Sequence, residues 1–360
     1  MTHTTSNRRH WLGALGLLLG SWCLGVSAQS WPSGPIKIIV PYPPGGSSDI
    51  IARAISQPLS DALKQTVVVE NRPGANGNLG ADAVAKSKPD GLTLLLCDTG
   101  ALAISPSVYT KLAFDPSTDL RGVSMLAYSP HMLVVHPSVP ANNLQELVAL
   151  SKKTPINFAV TAMGSAPHLA GVAVQRASGA SWVYIPYKGG VQAVTDTMAG
   201  QTQVVMNGML ATLPHVQSGK LKVLAVLSPN RSAIFPDVPT IAESGFPGFE
   251  ASVWYGFVAP AATPKPIIVK LHAEIQKALQ APSVVQAFRE GGIASLSGTP
   301  APKHAGELWP MLRAFGAIGE NAERVLDPDG SVVGSLRFGH ARSLLTCPGL
   351  PHDLAIRGPA

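Results

Sequence analysis

The chain has 360 residues, 46% of them hydrophobic and 13% charged, with a formal net charge of +6. Lys and Arg are scattered singly, with no basic run interleaved with aromatics, so the composition argues against a nucleic-acid binder. Three cysteines without metal-like spacing argue against a zinc framework or a disulfide-dense scaffold.

Arg8 and Arg9 form a basic stretch with no acid nearby, Trp11 to Leu24 is short and apolar, and Val26-Ser27-Ala28 is a small-x-small cleavage site. This pattern predicts a secretory signal peptide over 1–28, cleaved near Ala28 and too short for a comfortable membrane span. Arg8-Arg9-His10-Trp11-Leu12 also resembles a twin-arginine signal, the alternative being an ordinary Sec leader. Cys23 raises lipidation, but the bulky Trp22 precedes it where a small residue is expected. The mature chain would then have about 330 residues, enough for two ordinary domains. Loss of 1–28 removes two arginines and no acids, so the charge falls from +6 to +4, a modest field that favours anionic small molecules.

Ile36 to Val40 reads as a strand that ends in the loop Pro41-Tyr42-Pro43-Pro44-Gly45-Gly46-Ser47-Ser48-Asp49, which opens a helical pattern at Ile50. A strand, a tight loop and a helix start leave backbone N–H groups free and place the positive end of the helix dipole there, which suits an anion. Further strands are expected at Thr66 to Glu70, Leu92 to Cys97 and Met132 to Val135, with a helix from Leu79 to Lys86. The rhythm restarts near Pro137, with helices at Leu144 to Lys152, His168 to Ser178 and Val191 to Ala199. Strands are expected at Asn157 to Val160, Trp182 to Pro186, Val204 to Met206 and Leu221 to Leu227. Val253 to Val258 looks like a return to the first lobe, and Pro266 to Leu279 is an amphipathic helix entered through proline. The alternation predicts βαβ units and a mostly parallel sheet in an α/β fold of two lobes. Lobe 1 is assigned to 29–134 plus 253–327 and lobe 2 to 135–252. The Gly-, Pro-, Arg- and Ser-rich segment 328–360 is read as a poorly ordered tail.

Loops at the carboxyl ends of the strands should face each other across a cleft. The first lobe offers Tyr42, Gly45, Gly46, Ser47, Ser48 and Asp49, then Asp98, Thr99 and Gly100. The second offers Met163, Gly164, Ser165 and His168, then Tyr187, Lys188 and Gly189, and Asn207. Short side chains and backbone donors suit a carboxylate. Duller roles compete: the Pro-Pro-Gly-Gly loop as a tight βα turn, Asp49 as a helix N-cap, Tyr42 as a cover for the turn and Lys188 as a solvated side chain. Ser165 and His168 also raise a nucleophile and base, although their i, i+3 spacing suits a cap and no third orienting group is in view. No nucleophile elbow, P-loop or histidine cluster accompanies them, so no catalytic residue, metal or cofactor is expected.

Five segments together resemble the Bug family, the extracytoplasmic solute receptors of tripartite tricarboxylate transporters. They are Val40 to Asp49, Glu70 to Gly80 (ENRPGANGNLG), Pro89 to Leu94 (PDGLTL), Ile185 to Gly190 (IPYKGG) and Phe235 to Gly245 (FPDVPTIAESG). The resemblance runs from about Trp31 to Thr299. It implies a two-lobe periplasmic binding protein with a Venus-flytrap closure, a ligand in the interdomain cleft, and no enzymatic activity. It further implies a small carboxylate held largely by backbone amides and water, delivery to membrane transporter subunits, a periplasmic location and a monomer. On this likeness the loop Pro43 to Asp49 grips a ligand carboxyl group, and loops Asp98 to Ala101 and Met163 to His168 complete the pocket. An exported hydrolase or a ligand sensor that signals to a membrane protein are the alternatives. The sequence departs from the family's pattern after Thr299. Cys97 and Asp98 also stand where small neutral or hydroxyl residues are common, which weakens anion binding or selects a ligand bearing a cationic group.

Overall fold

The protein is described from a computed structural model that covers residues 31–297, together with the backbone of the strands Ala322–Leu326 and Val332–Arg337. The expected signal peptide, the segment 298–321 and most of the expected tail lie outside the described residues. Residues 31–33 fall in a separate N-terminal unit, without helix or strand.

The first series of elements is built on β1 (Ile36–Val40), α1 (Ser47–Leu63), β2 (Val67–Asn71), α2 (Asn78–Ala85) and β3 (Thr93–Asp98). Helix α1 buries Ile51, Ala52, Ile55, Leu59 and Leu63, a stripe at mostly four-residue steps that seats it on the sheet. It ends at Lys64 in the left-handed region. After β3 the chain makes a π-helical turn, Gly100–Ile104, and one α-turn, Ser105–Val108. It then enters β4 (Leu120–Val135), a strand of 16 residues.

The second series runs α3 (Leu144–Lys153), β5 (Ile156–Val160), α4 (Ala166–Ser178), β6 (Trp182–Pro186), α5 (Gly190–Met198), β7 (Val204–Gly208), α6 (Met209–Gln217) and β8 (Lys222–Val226). The chain then returns through β9 (Ser252–Pro260), α7 (Lys265–Ala278), α8 (Pro282–Glu290) and the short β10 (Ala294–Ser295). A hairpin of β11 (Ala322–Leu326) and β12 (Val332–Arg337) follows. Its second strand lies within the segment expected to be a poorly ordered tail.

The strand order is β2-β1-β3-β9-β4-β7-β5-β6, with β8 and β10 also paired to β4. The βαβ pairs β1/β2, β1/β3, β5/β6 and β5/β7 are parallel. The expectation of a mostly parallel sheet fails at the centre, because β4 and β9 run antiparallel to their neighbours and to each other. Strand β4 belongs to both halves. Leu120 to Pro130 pair with β9, and His131 to Val135 pair with β7. Its side chains alternate as the pleat demands: Leu133 and Val135 enter one core with Phe158, Val160 and Met206. Met132 and Val134 enter the opposite core with Ala159, Val205 and Met209. A third core, around Ile39, Leu95, Met125 and Val258, supports the first half. Helices on both faces make each half an α/β lobe, and the two lobes meet along the carboxyl ends of β1, β3, β5 and β7.

Candidate functional site

Four helices begin at one cleft. Its walls include Gly46, Ser47 and Ser48 from α1, Ser165, Ala166 and Pro167 from α4, Gly190 from α5 and Gly208 before α6. Tyr42, Asn76, Asp98, Gly100, His131, Thr161, Asn207, Val253 and Tyr255 complete the lining of a cavity of about 70 Å³. By the space one water needs, that holds a handful of waters or a compact organic molecule.

The helix starts are chemically distinctive. The N-caps Gly46, Gly189 and Gly208 provide no capping side chain, so the first N–H groups of α1, α5 and α6 lack that partner. Only α4 is capped by its own side chain, Ser165 Oγ accepting from the His168 N–H at 3.4 Å. Uncapped first turns combine orphan N–H donors with the positive ends of the helix dipoles.

The lobes approach closely through residues without side chains. A Cβ on Gly189 would lie 2.5 Å from Pro43 Cδ, and one on Gly208 would lie 2.6 Å from Ser47 Oγ. Asn76, held at φ 54° in the turn before α2, donates from Nδ2 to the Gly164 carbonyl across the cleft at 3.3 Å. Inside the second lobe, Asn207 Nδ2 donates to Thr212 Oγ1 at 3.0 Å, and its Oδ1 lies where a Cβ on Gly190 would fall.

Two acceptors stand on the floor. Asp98 Oδ1 receives Tyr42 Oη at 3.1 Å, the Gly100 N–H at 2.8 Å and the Ala101 N–H at 3.4 Å. Burial pushes its carboxyl up to about 6, against the pull of Tyr42 and the two N–H groups. Burial, then the nearby Asp98, also raises Tyr42 well above the usual phenol range. His131 pairs through Nδ1 with the Ala251 carbonyl at 3.1 Å, and burial pulls its ring down to about 4. A carbonyl only accepts, so Nδ1 carries the proton and Nε2 is a lone-pair acceptor in the neutral ring. Among the described residues no Lys or Arg lines the cleft. Among the described residues no group of three or more His, Cys, Asp or Glu is placed to hold a metal.

Of the residues expected at the site, Tyr42, Gly46, Ser47, Ser48, Asp98, Gly100, Ser165 and Asn207 line the cleft. Gly45, Asp49, Thr99, Ala101, Met163, Gly164, His168 and Tyr187 do not. Asp49 faces back into its own lobe, accepting from Gly45 N, Arg53 Nε and Asn71 Nδ2. Burial pushes its carboxyl up, but these three partners hold it below the usual range. Met163 is 39% exposed, and Tyr187 Oη donates to Asp196 at 2.8 Å. Thr99 and Ala101 are buried at the π-turn behind Asp98. His168 is buried, its Nδ1 accepting from the Gly164 N–H at 3.0 Å while its backbone N–H donates to Ser165 Oγ. Asn76, His131, Thr161, Val253 and Tyr255 were missed. Gly190 closes a motif read for the family and Gly208 follows Asn207, which is the only signal that pointed near them.

The sequence profile of the tripartite tricarboxylate transporter family receptor, TctC, matches residues 51–300. Protein BugT of Bordetella pertussis is 42% identical over 299 residues, covering 82% of this chain and 92% of BugT. The solved periplasmic binding protein BugD superposes with a TM-score of 0.74 at 32% identity, covering 79% of this chain and 94% of BugD. MatC of Rhodopseudomonas palustris, solved with bound malate, gives 0.73 at 29% identity, covering 79% of this chain and 97% of MatC. The two-lobe α/β architecture is thus shared, and this chain belongs to the tripartite tricarboxylate transporter receptor family.

Proposed function

We propose that this protein is an exported receptor that captures a small carboxylate between its lobes in the periplasm and presents it to a tripartite tricarboxylate-type transporter in the membrane. One observation carries the reading: three uncapped helix starts converge on a cleft where no cationic side chain stands among the described residues. Such a site neutralises an anion with backbone N–H groups and dipoles, as helix N-termini do for phosphate and carboxylate elsewhere. Malate bound in MatC supports the ligand class. Lobe 1 is taken as 29–134 with 253–327 and lobe 2 as 135–252. The ligand contacts are assigned to Gly46, Ser47, Ser48, Gly190, Asn207 and the start of α4. The protein works as a monomer and is a binder, not an enzyme, because Ser165 is spent as a helix cap and His168 Nδ1 on a backbone N–H.

The test is thermal unfolding of solute-stripped protein against a panel of carboxylic acids. A ligand at 100 times its Kd adds about 2.7 kcal/mol, a rise of roughly 4 °C in Tm at this size. A panel in which no acid raises Tm removes the reading.

A further inference from the structure

The cleft is one-sided in a second sense. Its donors are backbone N–H groups and short polar side chains on the helix starts, whereas its floor carries two acceptors, Asp98 and His131. Among the described residues, all hydrogen bonds to Asp98 fall on Oδ1. That oxygen is saturated by one hydroxyl and two amides, which fix the carboxyl plane against the π-turn. Among the described residues none donates to Oδ2, and Asp98 borders the cavity. The neighbouring ionisable groups do not relieve it. Tyr42 already donates to Oδ1, Tyr255 of β9 and Cys97 of β3 are both held protonated by burial and by the Asp98 charge, and His131 is neutral.

We propose that Asp98 Oδ2, with His131 Nε2 as a second acceptor, forms a subsite for a proton-donating cationic group, so that the preferred solute is a carboxylate that also bears an ammonium. The inference rests on the carboxylate reading above and narrows it. A second carboxylate placed on this floor would face an anion with no counter-charge, whereas an ammonium would gain a charge-assisted hydrogen bond in a cavity with room for only a handful of waters. Asp98 is ionised at neutral pH, since its carboxyl titrates near 6.

Matched probes differing only by a hydrogen replaced with an ammonium test this: succinate against aspartate, glutarate against glutamate, and propionate against alanine. Calorimetric titration of the full, solute-stripped chain at pH 7.5 should show at least a tenfold preference for the amino member of the best-bound pair. In Asp98→Asn the preference should shrink to within about threefold, while the plain acid gains affinity. The wild-type comparison stands by itself should the variant not fold, and Asp98→Ser serves as a second variant. Equal or tighter binding of the plain acids by the wild type overturns the subsite and leaves the carboxylate reading standing. So does a preference that Asp98→Asn leaves unchanged. Binding of no member of any pair removes the carboxylate reading, and the subsite with it.

Discussion

Asp98→Asn should make the solute-free protein more stable at neutral pH. Burial raises the carboxyl from 3.8 to about 6, against the lowering effect of Tyr42, Ala101 and Gly100. A carboxyl whose folded value lies above its unfolded one binds more protons in the folded state. Stability therefore falls as pH rises from about 4 to about 6, and the full penalty is present above that window. The difference is worth about 3 kcal/mol at pH 7.5. Asparagine stands in for the neutral acid, and its carbonyl can accept the same three hydrogen bonds. At this chain length the gain corresponds to a Tm higher by roughly 4 °C. Urea unfolding of both proteins at pH 4, 5, 6 and 7.5 measures the gap, which should be near zero at pH 4 and level off above about 6.5. A gap missing at pH 7.5, or constant across the series, refutes the reasoning. The wild-type curve alone is a poor witness, because His131 titrates in an overlapping window with the opposite sign.

His131 is pulled from 6.5 to about 4, chiefly by burial, so its contribution is present above pH 6.5 and lost as pH falls toward 4. His131→Asn, whose amide can still donate to the Ala251 carbonyl, should flatten the acid limb of the stability profile by about 3 kcal/mol, read by urea unfolding at pH 4 and 6.5. Gly208→Ala leaves the backbone unstrained, because φ −57°, ψ 137° suits alanine. Its Cβ would meet Ser47 Oγ at 2.6 Å when the lobes are together, so solute affinity should drop by at least about tenfold in calorimetric titration. Asn143 Oδ1 caps α3 by accepting from the Glu146 N–H at 2.8 Å, so Asn143→Ala should cost about 1 kcal/mol in urea unfolding without altering solute affinity.

Most of the βαβ series was legible because short apolar runs bounded by Pro and Gly are strong local signals. The strand at Ile36–Val40 is met residue for residue, and the helices at 144–153 and 265–278 differ by a residue or two at their ends. The first three-quarters of β4 was not legible. Its pairing with β9 shifts register between Gly122 and Ser124 and again between Met125 and Ala127, which breaks the period-two pattern, and Pro130 interrupts it again. Helix α6 hid behind Pro214, and α8, although it buries Val284 and Phe288 one turn apart, is only nine residues long. The cleft was legible where a loop follows a strand, as at Gly46 to Ser48 and Asp98. It was illegible where residues far apart in sequence converge. His131 reads as one more polar residue in an unpredicted strand, and Tyr255 as an ordinary strand aromatic.

His131 holds one further consequence. It sits where β4 stops pairing with β9, at Pro130 with Ser252, and begins pairing with β7, at His131 with Gly208. Its backbone is therefore the seam between the two halves of the sheet, and its ring is part of the cavity wall. Turning one lobe on the other would twist the chain at a residue that lines the cleft. Occupancy and inter-lobe angle then share a single coordinate, and no relay of intervening side chains is needed to connect them.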